Sequence, residues 1–302
     1  MKYLQLAALA VALTITACER PLIEGEDPET NESGLVTPDQ QKAKKFTFTL
    51  KGDFTSEWKP VERRAAGYLQ AEGKDMTDVW VLDYQDGVLV QQLHQTDNTA
   101  EDFGTPSLSL KYGSHHVYFI ASRGTGAVLD TDNHLITFTK VLDTFYKDYE
   151  VSVVSTSNGN RAVTLDRVVT RLRLTFTDAV AEGTSTVNIA PHTWYYGLDY
   201  ITGAPAAAQT DQATSINIPA SEVGKTGLQV NLFGFSAASE WTTNVSITSK
   251  TADQTMIGQA TIKDAPFKAN RISEYSGPLF GSEGKMSLSL NSTWDDPYEG
   301  TW

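Results

Sequence analysis

Histidines are the side chains of this sequence best suited to binding a metal ion or moving a proton. The 302 residues contain five of them: His94, His115, His116, His134 and His192. No His-x-x-x-His or His-Glu-x-x-His spacing occurs, so the ligand set of a zinc hydrolase is not visible. His115 and His116 are adjacent at the start of a predicted strand, where consecutive side chains point to opposite faces. These two side chains cannot share one ion, and the sequence predicts no metal site.

The acidic and nucleophilic residues show no recognisable catalytic pattern. The sequence contains no Gly-x-Ser-x-Gly, Gly-x-x-x-x-Gly-Lys or Gly-x-Gly-x-x-Gly motif. Residues 130–133 are similar to the start of a calcium loop, but Leu135 stands where an EF-hand needs glycine. Asp295 and Asp296 are adjacent, which says nothing about the separation of about 5–9 Å that a glycosidase requires. We expect a protein that is not an enzyme and has neither a cofactor nor a small-molecule substrate.

The single cysteine, Cys18, follows a segment typical of a secretory signal peptide. Lys2 supplies a positive charge, and residues 4–15 are almost entirely apolar. The segment ends in Ile-Thr-Ala-Cys, which is similar to the lipobox of bacterial lipoproteins, where cleavage falls between the positions of Ala17 and Cys18. The thiol is then acylated with fatty acids such as palmitate, and several acyl chains hold a protein far longer than one. We predict a signal peptide over residues 1–17 and a lipid on Cys18; an ordinary signal peptide with a chance cysteine is the alternative.

The residues after Cys18 have the composition of a solvated linker. Residues 19–43 combine prolines, glycines and acidic side chains with few apolar residues. Acidic residues just after the cysteine also resemble an outward export signal of Bacteroides-like surface lipoproteins, with a plain spacer as the alternative. The whole chain carries 24 Lys+Arg and 37 Asp+Glu, a formal net charge of −13. This balance disfavours nucleic acid as a partner, because phosphate binding needs clustered Lys and Arg.

From residue 44 onwards the dominant hydrophobic period is two. Apolar and polar residues alternate in about a dozen short segments, of which residues 46–50 and 168–178 are examples. Such alternation predicts strands with one face on a core and one in water. About a dozen strands over about 260 residues predict an all-β protein with two β-sandwich domains, residues 44–180 and 181–302. Only residues 135–146 favour a helix, because their large apolar residues recur at helical spacing.

A dense aromatic patch suggests a different activity. Trp194, Tyr195 and Tyr196 are consecutive, and Tyr200 follows closely. Aromatic rings on a surface can stack on sugar rings, so Trp194 and Tyr196 are candidate glycan-stacking residues. The alternative, which we favour, is that these rings fill the sandwich cores.

Four segments have sequences typical of one known family. Residues 76–90 read as a hairpin with a V-W-V-L-D-Y strand and a glycine turn, and residues 116–121 read as a buried strand of similar type. Residues 165–172 are similar to an R-x-x-A-[KR]-[IL] strand, with threonine where alanine is usual, and residues 270–280 are similar to a late strand. On these segments the chain resembles the FimB-type fimbrial anchor family, within the fimbrillin superfamily of Bacteroides-like bacteria.

The resemblance implies two transthyretin-like β-sandwiches, a lipid anchor and no catalysis. It also implies that the strand at residues 165–172 closes the first domain. Shaft subunits of this superfamily lose an N-terminal strand by proteolysis after an arginine, and a neighbour's strand fills the groove. Here the bond between Arg64 and Ala65 looks cleavable, and a cut there would separate Cys18 from the body. An anchor should keep its early strand, whereas a shaft or tip subunit should lose it.

We therefore expect a lipoprotein of the outer-membrane surface that anchors a fimbrium. It would dock the adjoining shaft subunit by β-strand complementation. The alternating residues 285–291 are either the donated strand or a strand of the protein's own second sandwich. A surface glycan-binding lipoprotein and an adhesive tip subunit are the alternative functions.

Overall fold

Strands make up nearly all of the regular structure. The computed structural model describes residues 42–54, 67–68, 76–281 and 287–289. These residues contain no α-helix and one short 3-10 turn, Ala220–Glu222, and none of their helical structure has the length and apolar character to span a bilayer. The strands are β1 (Ala43–Gly52), β2 (Gly67–Tyr68), β3 (Asp78–Gln85), β4 (Val88–Gln95), β5 (Ser107–Lys111), β6 (Gly113–Ser122), β7 (Thr125–Asp130), β8 (Leu135–Lys140), β9 (Thr144–Val153), β10 (Asn160–Thr164), β11 (Asp166–Arg167), β12 (Val169–Phe176), β13 (Thr186–Pro191), β14 (Trp194–Asp199), β15 (Ala204–Gln209), β16 (Thr214–Asn217), β17 (Leu228–Phe235), β18 (Trp241–Lys250), β19 (Met256–Phe267), β20 (Ile272–Gly277) and β21 (Ser287–Ser289).

Alternating hydrophobicity explains why these segments fold as strands. In β1 the side chains of Phe46, Phe48 and Leu50 are buried, while those between them are partly exposed. β18 follows the same pattern, with Val245 and Ile247 buried between exposed or partly exposed neighbours. Because successive side chains of a strand point to opposite faces, each such strand places one face on a core. The prediction of an all-β fold is confirmed.

A two-residue turn fixes the first hairpin. Asp86 and Gly87 join β3 to β4, and both have positive φ angles, 53° and 76°. A turn with positive φ at both positions matches the twist of the two strands, and Asp-Gly is a preferred sequence for it. The hairpin pairs Gln85 with Val88 directly across the turn. The Asp-Gly signal in the sequence therefore marks this hairpin.

Two sheets enclose the first core. In one sheet the strand order is β10-β1-β2, with β5 also paired to β1; in the other the order is β11-β9-β6-β3-β4. Side chains from both sheets form one apolar cluster. Its largest members are six buried phenylalanines, Phe46, Phe48, Phe54, Phe103, Phe119 and Phe145.

The second core lies between two further sheets. Their strand orders are β17-β12-β20-β21 and β16-β13-β18-β19. Leu172, Leu174 and Phe176 of β12 pack there with Ile247 of β18 and Phe267 of β19. β12 runs antiparallel to β17 on one side and parallel to β20 on the other.

A fifth sheet packs on the outer face of the first sandwich. Its strand order is β15-β14-β8-β7. Ile136 of β8 and Leu198 of β14 join Leu82 of β3 and Ile120 of β6 in a third apolar cluster. β3 and β6 therefore have buried side chains on both faces, which explains their nearly continuous apolar sequences.

The helix predicted over residues 135–146 is wrong. This segment forms β8, a short irregular connection and the start of β9. Phe138 and Val141 belong to the third cluster, whereas Phe145 belongs to the first. The helical spacing arises because the apolar residues of a strand-loop-strand segment face two different cores.

The division into domains at residues 180 and 181 stays a prediction. Residues Pro38–Trp302 form one compact unit. β12 was expected to close the first domain, but it pairs with β17 and β20, which follow residue 180. β8 likewise pairs with β14. Strands from before and after residue 180 therefore share sheets.

Candidate site of strand docking

β1 is hydrogen-bonded along both of its edges. On one side it pairs in parallel with β10 over five residue pairs, and on the other its first half pairs antiparallel with β5. Further along, the backbone N–H of Phe48 donates to the carbonyl of Pro106 at 2.9 Å. The N–H of Leu50 donates to the carbonyl of Gly104 at 3.0 Å. Without β1 these flanking segments would present unpaired backbone groups, which is an accepting groove for another strand. We call this position the β1 groove.

The inward face of β1 fills the β1 groove with apolar side chains. Phe46, Phe48 and Leu50 have no exposed surface. The ring of Phe48 packs against those of Phe119 and Tyr149, with centroids 5.1 and 5.9 Å away. Fully burying one such side chain contributes about 1.5–3 kcal/mol, so the three together contribute about 5–9 kcal/mol. β1 thus combines main-chain pairing with pocket-filling side chains, which is the chemistry of strand complementation inside one chain.

Gly159 allows β10 to approach β1 closely. Its carbonyl accepts a hydrogen bond of 2.7 Å from the backbone N–H of Thr47. A Cβ atom at position 159 would collide with the carbonyl oxygen of Lys45. The Asn158-Gly159 turn signal in the sequence therefore marks a place where two strands need a residue without a side chain.

A buried charge cluster holds the end of β1. Asp143 accepts a hydrogen bond of 2.6 Å at Oδ1 from Nε of Arg167, and its Oδ2 lies 3.7 Å from Nη1 of Arg123. Arg167 Nη2 donates to the carbonyl of Asp53 at 2.8 Å. Arg123 Nη2 donates to the carbonyl of Phe54 at 2.7 Å. We call Arg123, Asp143 and Arg167 the clasp, because both guanidinium groups contact the chain where it leaves the β1 groove.

Burial makes the ion pair of the clasp costly to break. The side chains of Asp143 and Arg167 are each 2% exposed. The guanidinium of Arg167 also lies over the ring of Phe145, 4.5 Å from its centroid. Removing one partner of a buried pair leaves an uncompensated charge and costs about 3–5 kcal/mol. The clasp therefore fixes the position of the chain directly before residues 55–66.

At the C-terminal edge of the second sandwich, the last described strand has shorter pairing than β1 has in its groove. β20 pairs with β12 over six residue pairs, and β21 pairs with the other edge of β20 over three. Before β21, the carboxylate of Asp178 accepts hydrogen bonds of 2.6–3.1 Å from the backbone N–H groups of Leu279, Phe280 and Gly281. Ser287–Ser289 thus pairs within the protein's own sheet. We call β20, β21 and the Asp178 contacts the C-terminal edge.

Four residues of the predicted lipidation and processing sites lie outside the described part of the chain. They are Ala17 and Cys18 at the signal cleavage site, and Arg64 and Ala65 at the candidate processing site. Lipidation and both cleavages stay predictions.

The structure corrects the glycan-stacking role of Trp194. This side chain is 1% exposed, and its Nε1 donates to the carbonyl of Phe233 at 2.9 Å. Its ring packs edge-on against that of Phe267, 5.0 Å between centroids. A ring so enclosed presents no face to a sugar, and core filling is its role. Tyr196 is half-buried, with its hydroxyl 3.2 Å from that of Thr214.

His115 and His116 lie on opposite faces of β6, as predicted. His115 is buried: its Nδ1 lies 2.7 Å from Oδ1 of Asp83, and its Nε2 lies 2.8 Å from the carbonyl of Lys111. Burial raises the pKa of Asp83 above its ordinary value, although the hydrogen bond from His115 opposes the shift. His116 is exposed, with Nδ1 3.1 Å from Oδ1 of Asp148. Both nitrogens of His115 have protein partners, so this pair positions strands β3 and β6.

Sequence reasoning missed the clasp. Arg167 lies in the segment that resembles the fimbrial anchor family, but Asp143 lies 24 residues earlier, in the segment predicted as a helix. No spacing rule connects them, since the pairing of β9 with β11 brings them together. The sequence itself carries no signal for this cluster. Only the burial of its charged side chains, which the folded structure shows, marks it as unusual.

Three solved structures with a similar fold come from Bacteroides species. A candidate adhesin of Bacteroides ovatus matches with a TM-score of 0.51 at 11% identity, covering 83% of this chain and 94% of its own. A candidate polysaccharide-binding protein of Bacteroides thetaiotaomicron matches with a TM-score of 0.50 at 11% identity, covering 82% and 98%. A candidate adhesin of the same species has a TM-score of 0.50 at 10% identity, covering 85% and 98%. No family model and no curated protein sequence matches the chain. At these identities the likeness shows a shared fold.

Proposed function

We propose that this protein is a non-enzymatic outer-membrane lipoprotein that anchors a fimbrium. In this proposal Cys18 carries the lipid and residues 19–43 give reach. The two sandwiches dock the adjoining shaft subunit by strand complementation. The family resemblance of the strand motifs supports this role, and so does the fold shared with candidate adhesins of Bacteroides.

The occupied β1 groove is the observation that carries the proposal. The uncut chain fills the groove with its own Phe46, Phe48 and Leu50, and the clasp holds the chain at its exit. A subunit that covers its own groove accepts no strand from a neighbour there. Polymerisation through that groove stops at such a subunit, as an anchor requires.

The C-terminal edge is the element that we assign to docking. β21 pairs with β20 over three residues, whereas β12 pairs with β17 over eight. A strand with so few main-chain hydrogen bonds separates from its sheet more easily than an interior strand. In our proposal Ser287–Ser289 separate from β20, and residues 285–302 fill the groove of the first shaft subunit. Deleting residues 285–302 should abolish co-purification with the shaft while leaving the protein membrane-bound.

Replacing the cysteine tests the anchor directly. Cells that carry Cys18→Ala should release the protein, together with intact fimbriae, into the medium, because no acyl chain holds the base. Ser33→Ala, in the linker, is the matched control and should leave both in the membrane fraction. A Cys18→Ala protein that stays in the membrane fraction contradicts the proposal.

An adhesive tip subunit is the second candidate, and Arg64 separates it from the anchor. A tip subunit would be cut after Arg64 and lose β1, so Arg64→Ala would leave it uncut and unassembled. An anchor keeps β1, so Arg64→Ala should change neither its mass nor the number of fimbriae. The glycan-binding alternative loses one of its two candidate stacking residues, because the buried Trp194 offers no stacking face.

A further inference from the structure

Three metal-ligating side chains meet on the first sandwich, away from the strand-docking site. His116 lies on β6, and Asp148 and Glu150 lie on β9. One ligand atom from each lies within 4.8 Å of the others, the only such group among the residues that the structure describes. His116 is the direct partner of Glu150 across the antiparallel pair, and Asp148 is the next residue of β9 on the same face. Strand pairing therefore creates this group, which sequence spacing does not show.

The group is accessible and already ordered by an internal contact. Nδ1 of His116 lies 3.1 and 3.3 Å from the two carboxylate oxygens of Asp148. The side chains of His116 and Asp148 are 46% and 34% exposed, so an ion and its waters can reach them. One imidazole nitrogen with two carboxylates suits a divalent cation of the first transition row. Calcium is a poorer match, because it prefers six to eight oxygen ligands.

The ring of Tyr118 stacks on the imidazole of this group. Its side chain is 5% exposed, and its ring stacks on that of His116, with centroids 6.1 Å apart and planes 18° apart. Its hydroxyl makes no hydrogen bond to any described residue. Stacking on the buried ring of Tyr118 therefore restricts the orientation of the His116 imidazole.

We propose that His116, Asp148 and Glu150 together bind one divalent transition-metal ion, with Zn²⁺ as the probe. The three donors leave further coordination positions open to water or to an external ligand, because the site faces solvent. The ion joins β6 to β9 and stabilises the folded state by mass action.

Calorimetric titration of the full chain with ZnCl₂ tests the proposal. Cys18 is alkylated first so that a free thiol cannot bind the ion, and bound metal is removed with a chelator. We expect one ion per chain and a rise in melting temperature with Zn²⁺. His116→Ala and Glu150→Gln should each weaken binding at least about tenfold, since each removes a ligand. Both side chains are exposed, and an unchanged melting temperature of the metal-free variants shows that they fold.

The chain offers a matched control for these variants. His192 and Asp211 form a similar imidazole-carboxylate pair, with Nδ1 3.2 Å from the carboxylate oxygens and both side chains largely exposed. This pair belongs to no three-donor group among the described residues. His192→Ala should leave the Zn²⁺ affinity unchanged. Absence of stoichiometric binding, or binding to His116→Ala as tight as to the unaltered chain, overturns the proposal.

Discussion

The two ends of the described chain are attached to their sheets in contrasting ways. At the N-terminal end, β1 has neighbours on both sides, three fully buried side chains and a charge cluster at its exit. At the C-terminal end, β21 pairs with β20 over three residues, and the chain before it is held by one carboxylate. An interior strand with a buried face separates only when much of its sandwich opens, whereas a short edge strand separates alone.

This contrast suits the two ends of the chain to different roles. A strand that stays in place at the N-terminal end suits the proposed attachment to the cell, and a strand that separates easily at the other end suits the proposed contact with a neighbour. The difference follows from burial and pairing length alone. A variant that alters only one end leaves the other end as the reference.

The largest effect should come from the clasp. Asp143→Ala removes the buried carboxylate that Arg123 and Arg167 share and should lower the free energy of unfolding by about 3–5 kcal/mol. Asp166→Ala is the matched control, because the pair of Asp166 with Lys147 is exposed and should contribute less than about 1 kcal/mol. Urea unfolding measures both. Equal, small losses would contradict the role assigned to the clasp.

A smaller and more local effect should follow at the C-terminal edge. Asp178→Ala removes the acceptor of three backbone N–H groups and should cost about 1–3 kcal/mol. Hydrogen exchange should become faster at residues 279–281 and 287–289, and remain slow in β1.

A carboxylate in an unrelated turn provides the control for that exchange experiment. Asp199 accepts hydrogen bonds from the backbone N–H groups of Ile201 and Thr202 between β14 and β15. Asp199→Ala should leave exchange at the C-terminal edge unchanged. If Asp178→Ala also leaves it unchanged, that carboxylate does not hold the C-terminal chain.

The smallest effect should appear as a pH dependence of the first sandwich. Burial raises the pKa of Asp83 in the folded state above its value in the unfolded chain. The folded protein therefore holds the proton more tightly, and this contribution to stability is complete below about pH 4 and is lost as the pH rises through the raised pKa. Asp83→Asn has no proton to lose, and its amide can still donate to Nδ1 of His115. Between about pH 4 and pH 7 the urea midpoint should fall less steeply with pH in this variant than in the unaltered protein. Identical pH dependence in the two proteins would refute the role of Asp83.

Local patterns predicted the strands but not their partners. The alternation of Phe46, Phe48 and Leu50 and the Asp86-Gly87 turn each have a local physical cause, so the sequence shows them. The parallel pairing of β1 with β10 joins residues more than 100 positions apart, and no local pattern encodes it.

The errors have the same origin. Phe138 and Phe145 have helical spacing, yet they face two different cores, which only the assembled sheets define. The sequence favours a core position for Trp194 but leaves glycan stacking open, and only the contacts with β17 and β19 decide between them. The clasp and the His116 group are also products of strand pairing, because their members come from separate strands or connections.

Mass spectrometry of the mature protein from native membranes tests the central claim most directly. The account predicts an N-terminal peptide that begins at Cys18, carries fatty acid and continues without a break into β1. An N-terminus at Ala65, with neither lipid nor β1 attached to the body, would contradict it.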